Sequence, residues 1–157
     1  MKFIKGLLLL LLLAIVILQA FRPEKNSSPQ SPLRSAPADI RTILETSCYD
    51  CHSNATRYPW YAEIQPVGWW LADHIREGKR EVNFSEFDAY PARRRYRKYQ
   101  EITEQVTQGE MPLASYLWLH HDAKLTHDQI TRIAGWAEAM RDSMRITYPP
   151  DSLERRR

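Results

Sequence analysis

The residues best equipped for chemistry stand together. Cys48-Tyr49-Asp50-Cys51-His52 places the chain's 2 cysteines three positions apart, with a histidine directly after the second. Two thiols at this spacing suit addition across the two vinyl groups of a haem, and the adjacent imidazole then lies beneath the iron as an axial ligand. Scattering 2 Cys and 5 His over 157 positions gives the pattern about once in 2,500 shuffles, so chance is a poor explanation. Three other chemistries compete for the same residues. A reversible dithiol of the thioredoxin type normally follows a strand in a βαβ unit. A zinc site needs a fourth ligand, with the adjacent Cys51 and His52 both reaching one metal. A plain disulfide suits an oxidising compartment.

A haem iron held by His52 leaves a sixth position to fill. Met111, Met140, Met144, His74, His120, His121 and His127 are the candidates. Met111 is preferred: it sits in Gly109-Glu110-Met111-Pro112 between two helical patterns, where a loop stiffened by Pro112 can present the thioether. His74 is the alternative distal ligand, because it falls on the apolar stripe of a helix. Met140 and Met144 stand at helical spacing and read as core. Pro66 is expected to end a loop and offer a carbonyl to the His52 ring nitrogen, fixing the imidazole. Tyr58, Trp60, Tyr61, Trp69, Trp70, Tyr116 and Trp118 supply rings suited to a haem pocket or to ordinary core. The run Arg93, Arg94, Arg95, Arg97 and Lys98 reads as a solvated face or as a dock for an acidic redox partner.

The elements that must position these residues read as helices. Asp39 is a possible N-cap for a helix whose stripe Ile40, Ile43, Leu44 continues to Cys48 and Cys51. Val67, Trp70, Leu71, His74 and Ile75 form the apolar face of a second. A third spans about 92–108 with Tyr96, Tyr99, Ile102 and Val106 inward, stopped by Gly109. Thr126 and Gln129 suggest a capping box opening a last helix that buries Ile130, Ile133, Ala134, Ala137 and Met140. No alternating strand pattern occurs, so the fold class is all-α.

Ahead of these, Lys2 and Lys5 precede an apolar run from Gly6 to Ala20, the pattern of an export signal. The run is shorter than the roughly 20 residues of a comfortable membrane span, although Phe3, Ile4 and Phe21 lengthen it. Residues 1–21 are therefore read as a signal anchor or signal peptide and 22–38, rich in Pro and Ser, as a linker that reaches up to roughly 50 Å from the membrane. Residues 39–146 form the haem-binding domain and 147–157 a C-terminal tail. The 22 basic and 19 acidic residues leave a net charge of +3, too small a bias for nucleic-acid binding.

Taken together, Ser47-Cys48-Tyr49-Asp50-Cys51-His52-Ser53-Asn54, Tyr58-Pro59-Trp60-Tyr61, Asn83-Phe84-Ser85, Gly109-Glu110-Met111-Pro112 and Ser115-Tyr116-Leu117-Trp118-Leu119-His120 closely resemble the bacterial haem-binding domain family. These are small exported proteins with one Cys-x-x-Cys-His and a Met-Pro loop, similar in plan to class I c-type cytochromes. The resemblance covers about residues 38–143. It implies a small cytochrome c-like domain around one haem c, covalently attached at Cys48 and Cys51, with iron ligated by His52 and, by analogy, Met111. The segment 54–65 is more aromatic than the usual cytochrome c loop. The function expected is single-electron transfer between redox partner proteins at or near the membrane, on the periplasmic side of the bacterial inner membrane. An electron carrier of this kind converts no substrate. A labile distal site would instead suit a haem sensor or peroxidase-like enzyme, with His74 or His120 as its acid-base residue. A third class is a structural or assembly module that haem merely stabilises.

Overall fold

The computed structural model describes residues 2–29 and 33–154. Residue 1, residues 30–32 of the expected linker and residues 155–157 of the expected tail lie outside the described residues. Every regular element among those described is helical: α1 (Lys2–Leu18), α2 (Ala38–Ser47), α3 (Tyr49–His52), α4 (Val67–Glu81), α5 (Ala92–Thr107), α6 (Ala114–Leu117), α7 (His127–Thr147) and α8 (Pro150–Leu153), with single 3-10 turns at Trp60–Glu63, Phe87–Ala89 and His121–Ala123. The all-α expectation holds.

The main core forms where α5 packs along α7. The expected stripe of α5, Tyr96, Tyr99, Ile102 and Val106, is buried throughout. α7 opens with the expected capping box: the Gln129 amide donates to Thr126 Oγ1 (3.2 Å) and the Thr126 amide to Gln129 Oε1 (2.9 Å). Its buried residues are Ile133, Trp136, Ala137 and Met144, while Ile130, Ala134 and Met140 are only half-buried. The helix turns further towards α5 than a purely aliphatic stripe suggests, because Trp136 packs edge-on against Tyr99 with ring centres 5.3 Å apart. α2 adds Ile40, Ile43 and Leu44 to this core. Its N-cap is Pro37, not Asp39. Asp39 lies inside the first turn, where a carboxylate suits the positive helix end, and pairs with Arg132 of α7.

Two segments expected to be free of the domain are packed against it. In the stretch read as a linker, Leu33 is 1% exposed and Ala36 equally sequestered, so the main core extends ahead of α2. Near the C-terminus Leu153 of α8 is buried in the same core, and Arg93 donates to the Asp151 carbonyl (2.7 Å).

A second, smaller cluster joins Tyr61 and Ala62 of the first 3-10 turn to Leu71 and Ile75 of α4. The buried face of α4 is Gly68, Leu71, Ile75 and Gly78; Val67 and Trp70, expected inside, are exposed, and His74 is half-buried. The two glycines set this rotation. A Cβ at Gly68 would collide with the Ala62 carbonyl, and one at Gly78 would lie 2.7 Å from the Cys51 carbonyl. Glycines carry no apolar signal, so the side of the helix making the closest approach is silent in a hydrophobicity pattern.

α1 buries none of its residues. No helix among the described residues is long and apolar enough to cross a membrane.

Candidate functional site

Helix α2 stops at Ser47, Cys48 leaves helical geometry (φ −130°), and the one-turn α3 begins at once. This break turns the segment so that its side chains diverge. Tyr49 is buried in the main core and stacks on Phe84 (5.6 Å). Asp50 turns the other way, accepting hydrogen bonds from the Tyr116 hydroxyl (2.8 Å) and the Arg57 Nε (3.1 Å). Cys48 packs against the main core, and Cys51 against the small cluster.

His52 is held from two directions. Its Nδ1 lies 2.9 Å from the Gly78 carbonyl and 3.1 Å from that of Val82. Only an Nδ1–H can serve these two acceptors, so Nε2 is the unprotonated nitrogen available to a metal. The carbonyls belong to the C-terminal end of α4, and the close approach that Gly78 permits brings them within reach. Burial holds the imidazole below its ordinary pKa, keeping it neutral. The His52 carbonyl accepts from the Phe84 amide (2.7 Å). The flanking loops are latched by Asn83 Nδ2 donating to Asn54 Oδ1 (2.8 Å) and the Asn54 amide donating to Ser85 Oγ (2.9 Å). Pro66 has no part in this. It sits at the opposite, N-terminal end of α4, where its carbonyl accepts from the Trp70 amide (3.2 Å).

Cys48, Cys51 and His52 line one cavity of about 500 Å³ with largely apolar walls, a size suited to a cofactor. Met111 and His74 line it too. The Met111 loop is set by the end of α5: Gly109 takes the left-handed conformation (φ +73°), and the Glu110 and Met111 amides both donate to the Gln105 carbonyl (3.0 and 3.2 Å). His74 bonds through Nδ1 to the Trp70 carbonyl (2.9 Å) and packs against the Trp70 ring (4.1 Å). The other candidates lie elsewhere. Met144 is buried in the main core and Met140 packs against it, His121 and His127 are exposed, and His120 bonds to the Tyr61 hydroxyl (2.8 Å) while stacking on Tyr116 (4.1 Å). Of the aromatic residues singled out from sequence, Tyr116 alone lines the cavity. Tyr61 belongs to the small cluster, and Trp60, Trp69, Trp70 and Trp118 are exposed.

The site fits a haem. Both cysteines are free, and they line the same cavity as an imidazole whose Nε2 is available and as the Met111 thioether. The competing chemistries fit less well. Burial pushes the Cys48 thiol up to about 12; burial, and then the Asp50 charge, push Cys51 to about 11, opposite to the lowered pKa of a reactive dithiol. Among the described residues no group of three or more His, Cys, Asp or Glu side chains is placed to hold a metal ion by itself, which leaves zinc without a ligand set.

Sequence reasoning missed Gly78, the Val82 carbonyl and Lys98. Lys98, read as part of a basic surface run, has a side chain only 6% exposed. It lines the cavity and reaches Glu81 (3.0 Å) and Glu101 (2.5 Å). The rest of that run is engaged too: Arg94 lies over the Tyr90 ring (3.7 Å) and Arg97 pairs with Glu101 (3.1 Å). An isolated glycine inside a helical pattern was the available signal for Gly78.

No curated protein and no solved structure matches the chain. A family model described as a haem-binding domain matches residues 10–139, a span that takes in the cavity, both thiols, His52 and Met111, and on this match the chain belongs to the haem-binding domain family.

Proposed function

We propose that the chain is a membrane-tethered mono-haem c-type cytochrome that passes single electrons between partner proteins on the periplasmic side of the bacterial inner membrane. The observation that carries this reading is the convergence of Cys48, Cys51, His52 and Met111 on one apolar cavity. Cys48 and Cys51 would form the two thioethers, and His52 Nε2 and the Met111 sulfur would ligate the iron. Haem held by these residues would supply a one-electron couple there, and the Met111 sulfur as a ligand would raise its potential. The protein orients the imidazole through the Gly78 and Val82 carbonyls, and the largely apolar cavity would exclude water from around the macrocycle. Anchoring through α1, in place of cleavage after it, is supported by the bonds that residues just beyond the helix make to the domain: the Gln65 amide donates to Gln19 Oε1 (2.9 Å), and Trp69 Nε1 donates to the Phe21 carbonyl (2.6 Å).

A second reading rests on His74, which shares the cavity. As distal residue it would make the protein a sensor or a peroxidase-like enzyme. The Met111→Ala and His74→Ala variants separate the two. Electron transfer predicts that Met111→Ala alters the axial-ligand absorption and opens the iron to carbon monoxide, while His74→Ala changes neither. An unchanged spectrum in Met111→Ala would remove Met111 as ligand and the carrier reading with it.

A further inference from the structure

We propose that the face around the base of α1 lies in the headgroup layer of a lipid bilayer, so that the haem domain rests on the membrane surface and does not swing from a tether. This rests on the reading of α1 as an anchor. The chain leaving α1 is fastened immediately. Gln19 Nε2 donates to the Gln65 carbonyl (3.2 Å), the Gln65 amide returns a bond to Gln19 Oε1 (2.9 Å), and the Trp69 indole N–H donates to the Phe21 carbonyl (2.6 Å). Arg22 pairs with Glu63 at 2.7 Å, and Lys25 pairs with the same carboxylate. These contacts hold the end of α1 against the start of α4, where Phe21, Ile64, Val67, Trp69 and Trp70 are all exposed.

The occupant follows from continuity. The apolar side chains of α1 are exposed along its length, so whatever medium receives the helix also meets the collar of apolar residues at its base. At 1.5 Å per residue the 17 residues of α1 span about 25 Å, short of the roughly 30 Å hydrocarbon layer. A helix shorter than the layer draws flanking groups to the boundary, and indole rings favour that boundary. Trp70 also packs against the cavity-lining His74, so the membrane face and the haem cavity share a wall.

The test is hydroxyl-radical footprinting, read by mass spectrometry, of the haem-loaded full chain in nanodiscs of phosphatidylcholine and phosphatidylglycerol carrying one chain per disc. Trp118 serves as the internal reference. Exposures of 37% for Trp69 and 45% for Trp70 against 75% for Trp118 account for about a twofold difference in oxidation by themselves. Burial of the collar predicts that Trp69 and Trp70 are protected at least about fivefold relative to Trp118, and with one chain per disc a second copy cannot cause it. Oxidation within about twofold of Trp118 in discs that retain the chain would overturn the membrane-resting arrangement and leave the anchor standing. A chain that does not stay with the discs would overturn both.

Discussion

Around Phe87, Tyr99 and Ile133 the chain packs a continuous core drawn from α2, α5, α7 and α8, with apolar residues at helical spacing and rings meeting edge to face. Around Tyr61, Ala62, Leu71 and Ile75 only four buried residues hold α4 to a 3-10 turn, and the closeness comes from two glycines and from hydrogen bonds to backbone carbonyls. The first region can stand on apolar burial. The second is too small for that, yet its helix carries the Gly78 carbonyl that orients His52 and the packing of Cys51, while Val82 of the large core supplies the other carbonyl. Cys48 belongs to the large region and Cys51 to the small one, so two thioethers to one macrocycle would staple the weak region to the strong. So attached, the proposed cofactor would be a structural element as well as a redox centre.

The sharpest way to break this contrast is in the large core. Phe87 is fully buried, and Phe87→Ala is expected to cost about 3–5 kcal/mol, lowering the denaturation midpoint of the apo and holo chains alike. Gly78→Ala should act differently. A Cβ 2.7 Å from the Cys51 carbonyl meets backbone that cannot move aside without shifting α3, an overpacking cost of about 1–3 kcal/mol. The effect is expected mainly in the holo chain, read as reduced haem content and a changed axial-ligand spectrum. Equal losses in apo and holo stability, with a normal spectrum, would contradict a site-specific role. Lys98→Met should have the smallest effect on stability, about 1 kcal/mol, because its partners Glu81 and Glu101 keep access to water. It removes a positive charge from the cavity wall and leaves two carboxylates, so the oxidised iron is favoured and the midpoint potential falls. Glu81→Gln removes a negative charge and should raise it. Potentials shifting in the same direction in both variants would show disturbed packing in place of an electrostatic effect.

The sequence made the large region legible and most of the small one opaque, for a physical reason. Tyr96, Tyr99, Ile102 and Val106 repeat at helical spacing because apolar burial holds that helix, and the capping box of α7 is local chemistry visible in four residues. Cys48, Cys51 and His52 were legible because their spacing is the one that covalent haem attachment would require. Met111 was legible through the glycine and proline around it. The face of α4 was misread because Gly68 and Gly78 decide it by absence of a side chain. The orientation of His52 was misassigned to Pro66 because its partners are carbonyls, which every residue has. Lys98 sits in a run of cations, and nothing local marks it as the one turned inward by Glu81, seventeen positions away.

The central claim is that both thiols are joined to one haem. Its most direct test is the intact mass of the denatured chain, matured alongside the cytochrome c assembly machinery, together with its alkaline pyridine haemochrome spectrum. The account predicts a mass raised by one haem that survives denaturation and a c-type α-band, shifted towards the single-vinyl form in Cys48→Ala and in Cys51→Ala. An apo mass with both cysteines free or oxidised to each other, in cells where a control cytochrome matures normally, would contradict it.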